Sequence, residues 1–105
     1  MSGQLRQGDV LLRSVDQMPA SAVRVDVTGE PDWTVVATGE NTGHRHALPA
    51  RDAQLFATPS RRYLRVLHRT YLGHDEHIAI PVEPGVYEIV LQRTYIPGAI
   101  VPVAD

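Results

Sequence analysis

The 105-residue chain contains no cysteine and no lysine. Without thiols there is no disulfide, thiolate zinc site, iron–sulfur cluster or cysteine nucleophile, so a metal would have to be held by nitrogen and oxygen. Without lysine there is no Schiff base and no Gly-x-x-x-x-Gly-Lys phosphate loop. Ser2, Ser14, Ser21 and Ser60 stand in no Gly-x-Ser-x-Gly elbow, and the zinc deaminase signature fails for want of its cysteines. Long apolar runs are also missing. The first nine residues lack the apolar stretch of a secretory signal, and the last apolar tract is cut by Pro97, Gly98 and Pro102, so a soluble cytoplasmic protein with no membrane contact is expected. Strong charge of either sign is lacking too. A formal net charge of −2 gives no global attraction to nucleic acid or anionic lipid.

What is present is dense punctuation, with eight glycines and eight prolines spaced too closely for ordinary helices. Apolar and β-branched stretches fall at 9–15, 23–27, 33–38, 54–57, 63–67, 70–72, 77–80, 86–95 and 100–103. Nine short strands predict an all-β fold with little helix: a small β-barrel or two-sheet sandwich such as a jelly roll, one domain over residues 1–105. A chain of this length buries roughly 65% of its surface on folding, enough for a modest core. The run 86–95 has the length of a central strand. Residues 61–72 also fit helical spacing through Leu64, Leu67, His68 and Tyr71, but Tyr, Val, Thr and Leu recurring at period two favour strand.

Four of the five histidines form two close pairs. The first, His44-Arg45-His46, follows a glycine-bearing approach through Gly39 and Gly43. On a strand over 44–48 its two imidazoles share one face, with Cα atoms about 7 Å apart, and can chelate one ion. The second, His74-Asp75-Glu76-His77, offers two imidazoles and two carboxylates within four residues. His44, His46, His77 and His74 are therefore the candidate ligands of one divalent metal ion, Zn, Fe, Mn or Ni, with coordination positions left open for water or an oxygen-donor substrate. His77 is placed at the start of the 77–80 strand, while His74 sits in the turn and, with Asp75 or Glu76, completes or orients the set. Glu40 and Glu76 are candidate general bases, and Arg45 and Arg93 candidate clamps for an anionic ligand. The plainer alternative is that each pair is solvated turn surface. His68, within an apolar strand, is read as a core or interface histidine.

A His-x-His strand with a third histidine about thirty residues on and a following Pro-Gly turn is similar to the cupin arrangement, which implies a metal-binding β-barrel. The motif glutamate of cupins has no counterpart here, and His77 precedes Pro81 and Gly85, whereas the cupin histidine follows its proline and glycine. Over nearly the whole chain, Gln7-Gly8-Asp9-Val10-Leu11-Leu12, Gly39-Glu40-x-Thr42-Gly43-His44-x-His46, His74-Asp75-Glu76-His77 and Pro84-Gly85-x-Tyr87-Glu88-Ile89 resemble a family of small bacterial and bacteriophage proteins with no established activity. That likeness implies a bacterial or phage setting and assigns no catalytic roles.

Two other readings compete with a metal site. A metal-free interaction module, either a homo-oligomer or one that docks a protein partner, is suggested by the apolar tail from Ile96 to Val103. Arg61, Arg62, Arg65 and Arg69, interleaved with Tyr63 and Tyr71, form a local patch of the kind that binds single-stranded nucleic acid; the net charge argues against it. Whether the chain is an enzyme is left open by its sequence.

Overall fold

Gly8 and Asp9 form a two-residue turn between Gln4–Gln7 (β1) and Val10–Val15 (β2), closing an antiparallel pair in which Gln7 faces Val10. Gly8 takes a φ of 58° and Asp9 does not have positive φ, the pattern of a type II′ hairpin whose first central residue favours glycine. In this computed structural model the described residues are 3–25, 31–38, 44–96 and 99–102. Among them there are strands and no helix, as the sequence predicts.

The remaining strands are Val23–Val25 (β3), Trp33–Thr38 (β4), Arg45–Pro49 (β5), Ala53–Ala57 (β6), Arg62–Val66 (β7), Thr70–Leu72 (β8), Ile80–Val82 (β9), Gly85–Leu91 (β10), Arg93–Ile96 (β11) and Ala99–Pro102 (β12). An antiparallel sheet runs β1-β2-β10-β7-β6-β3, and three two-stranded ribbons pair β4 with β5, β8 with β9, and β11 with β12. The architecture is a small all-β sandwich. Leu12, Leu55, Leu64, Val66, Tyr87 and Ile89 of the large sheet pack against Val36, Leu48, Leu72 and Val82 of the β4-β5 and β8-β9 ribbons. Burial of those side chains, at about 1.5–3 kcal/mol each, is what holds the layers together. Thr34 reinforces the joint by donating to the Ala53 carbonyl at 2.8 Å.

The 33–38 and 70–72 strands have the predicted bounds, and β10 is central, between β2 and β7. Other expectations need correction. The 86–95 run is not one strand: it breaks at Gln92, whose N–H donates to the Asp9 carbonyl at 2.8 Å as the chain leaves the sheet. The 77–80 strand is displaced to Ile80–Val82, paired with β8, because the backbone N–H groups of Glu76 and His77 bond to the His74 ring in place of a ladder. His68 is neither core nor strand; it is exposed in the turn between β7 and β8. That turn also divides the Arg and Tyr patch of 61–71, since β7 belongs to the large sheet and β8 to a separate ribbon.

Candidate functional site

An isolated antiparallel bridge joins Ala47 of β5 to Gly73, with reciprocal backbone hydrogen bonds of 3.0 and 2.8 Å. This register sets His46 opposite His74, because antiparallel neighbours step in opposite directions. His44, two residues before His46, falls on the same side. The rings meet accordingly: His74 lies 4.3 Å from His46, 4.4 Å from His77 and 5.3 Å from His44 between centroids, and His46 and His77 are near-parallel at 6.2 Å. The structure thus brings all four candidate histidines together around His74.

The floor of the cluster comes from the β1-β2 turn. Gln7 and Asp9, 3% and 2% exposed, flank Gly8 and reach the fully buried His46. The Gln7 amide nitrogen donates to the carbonyls of Leu72 at 2.9 Å and Ile78 at 3.0 Å, which ties the histidine-bearing loop 73–79 to the large sheet. Those two bonds fix the orientation of the amide, so its oxygen faces His46 Nδ1 at 2.9 Å and must accept. In the neutral ring His46 therefore carries its proton on Nδ1 and its lone pair on Nε2. Asp9 Oδ1 lies 3.5 Å from that Nε2.

The same reasoning assigns His74. Its Nδ1 accepts the backbone N–H groups of Glu76 at 3.0 Å and His77 at 3.1 Å, so the neutral ring is protonated at Nε2. His74 is the keystone of the turn, and neither of its nitrogens offers a lone pair to a metal in that state. His77 is half-buried in the same loop, and not held in a strand as the sequence suggests.

The other candidates are more dispersed. Glu76 is exposed, with Oε1 at 3.7 Å from His44 Nε2. Arg45 lines a cleft of about 190 Å³ with Trp33, Ala47, Gly73, His74 and Asp75, which borders the cluster. Glu40 lies outside the described residues; Arg93 has its backbone in β11 and its side chain outside them. Among the described residues, no group of three or more His, Asp or Glu side chains is arranged to hold a metal ion. Two imidazoles on one ion have ring centres about 4.6–5.3 Å apart, so His77 would have to approach His46 by roughly 1 Å.

Sequence reasoning missed Gln7 and Asp9 as parts of the site. Their signal was a Gly-Asp hairpin turn with polar residues where alternation called for apolar ones. A separate charged group lies on the opposite face of the large sheet, where the buried Glu88 carboxylate pairs with Arg13 and, at 3.3 Å, with Arg61. Arg62 donates to the Val36 carbonyl, and burial lowers the pKa of its guanidinium.

Residues 6–92 match a domain of unknown function, DUF8820, and the chain belongs to that family. The match includes Gln7, Asp9 and all four clustered histidines, and ends before β11 and β12. No curated protein and no solved structure shows significant similarity to the chain. Among the described residues no helix is long and apolar enough to cross a membrane.

Proposed function

We propose that this member of the DUF8820 family binds one divalent metal ion through His44, His46 and His77, with His74 holding the loop that carries the third ligand. The observation that carries this reading is the gathering of four imidazoles from two distant segments around His74, which lies 4.3–5.3 Å from the other three ring centroids. Clustered imidazoles repel one another when protonated, and a shared ion is the common reason for gathering them.

Nitrogen ligands with no thiolate suit Zn, Fe, Mn or Ni. Three protein ligands leave a position where bound water is acidified or an oxygen-donor ligand is polarised. The cleft bordered by Trp33, Arg45 and His74 is the natural approach for such a ligand, with Arg45 beside it as an anion contact. Glu76, next to His44, is the described carboxylate placed to take a proton there.

The test is elemental analysis of the untagged protein, purified and then reconstituted with each ion, beside His44→Ala and His77→Ala. Near-stoichiometric metal in the parent, lost in both variants, supports a shared site; no metal under any condition refutes it. A second reading, a metal-free interaction module, is favoured by the exposure of Trp33 and Tyr71 around a groove that also contains Arg51 and Arg69. It predicts a self-associated or partner-bound state that Trp33→Ala disrupts with metal content unchanged.

A further inference from the structure

Every second residue of the large sheet faces away from the core, and the register draws one row of side chains across that face: Arg24, Phe56, Tyr63, Glu88, Arg13 and Gln4, one from each strand. The six strands contain five arginines and a single carboxylate, Glu88. Its side chain is 9% exposed and meets Arg13 on one oxygen and Arg61, at 3.3 Å, on the other. One guanidinium would neutralise it. The second, together with Arg62, leaves two positive charges in excess around an open cleft of about 700 Å³, which these residues line with Pro59, Val90 and Leu91. Among the described residues no other carboxylate pairs with these three arginines.

The cationic groups are held in place by the fold itself. Pro59 follows Thr58 in the β6-β7 turn, where the Thr58 N–H donates to the Arg61 carbonyl at 2.8 Å and the Arg61 N–H to the Thr58 hydroxyl at 3.1 Å, so the backbone that carries Arg61 is fixed. Arg13 stands opposite Glu88 in the β2-β10 ladder. Both guanidiniums are about half exposed, and each has five N–H donors, more than their shared carboxylate can accept. We infer that this cleft, independently of the histidine site, binds a small organic phosphate: its phosphate dianion lies between Arg13 and Arg61, and its carbon body rests on Pro59, Val90 and Leu91. Two excess charges match a phosphate monoester, and arginine forks fit its oxygens bidentately. The exposed Leu91 and Pro59 supply apolar surface that an inorganic anion would leave in water. A nucleic-acid strand fits less well: Tyr63 is buried and the Arg65 guanidinium lies over the Phe56 ring at 4.9 Å, so among the described residues this face of the sheet presents no bare aromatic for bases to stack on.

Phenyl phosphate is titrated into the full chain and followed through backbone amide NMR shifts, beside inorganic phosphate and a short single-stranded DNA, in the parent, Arg61→Gln and Arg24→Gln. Arg61→Gln keeps the backbone bonds of its turn, while Arg24→Gln removes the same charge from the edge strand β3, outside the cleft. Saturable shifts at Arg13, 57–62 and 88–91 are expected, with phenyl phosphate bound more tightly than inorganic phosphate. Arg61→Gln should weaken binding by about tenfold or more, and Arg24→Gln should keep the parental affinity. No saturable binding below about 10 mM would overturn the proposal. So would an equal loss in both variants, which would show attraction to the charged face as a whole, or equal affinity for inorganic and phenyl phosphate, which would show no seat for a carbon body. DNA bound through the same amides more tightly than phenyl phosphate would replace the small ligand with a nucleic-acid strand. Should Arg61→Gln fail to fold, Arg13→Gln is measured in its place, with the same loss expected and parental affinity overturning the assignment.

Discussion

His46 and His74 face each other across the Ala47–Gly73 bridge, with ring centroids 4.3 Å apart and opposite protonation patterns. His46 gives its Nδ1 proton to Gln7, whereas His74 Nδ1 receives two backbone protons. One ring is therefore arranged to offer a nitrogen and the other to shape a turn. Substitutions should separate these roles. His44→Ala and His77→Ala, at half-buried positions, are expected to change apo stability by about 1 kcal/mol or less while reducing metal content. His46→Ala should cost about 2–4 kcal/mol without metal, since it opens a cavity and leaves the Gln7 oxygen unsatisfied. Urea denaturation of the three apo variants gives the comparison, and equal losses in all three would contradict it.

Gln7 links the hairpin to the histidine loop through three hydrogen bonds, spanning 39, 65 and 71 residues of sequence. Gln7→Met keeps the volume and removes all three. A loss of about 2–4 kcal/mol is expected, from broken bonds and a buried imidazole N–H left without its acceptor. The effect should be local as well as global. Hydrogen exchange of amides in 73–79 should rise more than in β7 or β10, and uniform protection throughout would show that Gln7 does not hold the loop.

Those separations explain what was legible beforehand. The all-β class followed from alternation and turn spacing, and the two histidine pairs were visible as local patterns. Their union was not, because it depends on the Ala47–Gly73 bridge, a pairing that no local alternation specifies. Asp9 read as the first residue of an apolar strand, and its chemistry appears only when the hairpin places it under His46. His77 read as strand because Ile78 and Ile80 follow it. A histidine ring acting as hydrogen-bond acceptor for its own turn overrode that signal, leaving Ile78 87% exposed.

Metal should stabilise the fold by mass action. A ligand that binds only the folded state at about a hundredfold over its dissociation constant adds about 2.7 kcal/mol, worth roughly 10–20 °C in melting temperature for a chain of this size. Calorimetry of the apo protein with increasing Zn²⁺, reversed by a chelator, measures it. The loop 73–79 should gain the most exchange protection, because His77 must move inward to complete the site. A melting temperature independent of Zn²⁺ would argue against any specific ion.

At the other end of β10, Tyr87 donates its hydroxyl to the Glu83 carbonyl at 2.8 Å. Burial, reinforced by the nearby Glu83 charge, raises its pKa above the ordinary 10.0. The folded state thus retains the phenol proton where the unfolded chain releases it. The contribution is intact below the unfolded value and is lost as pH rises through the folded one. Stability should therefore decline above about pH 10, and Tyr87→Phe should flatten that decline while costing about 1 kcal/mol at neutral pH through the lost hydrogen bond. Urea midpoints of parent and variant between pH 8 and 11 decide it: parallel curves would mean that Tyr87 does not set the alkaline limit.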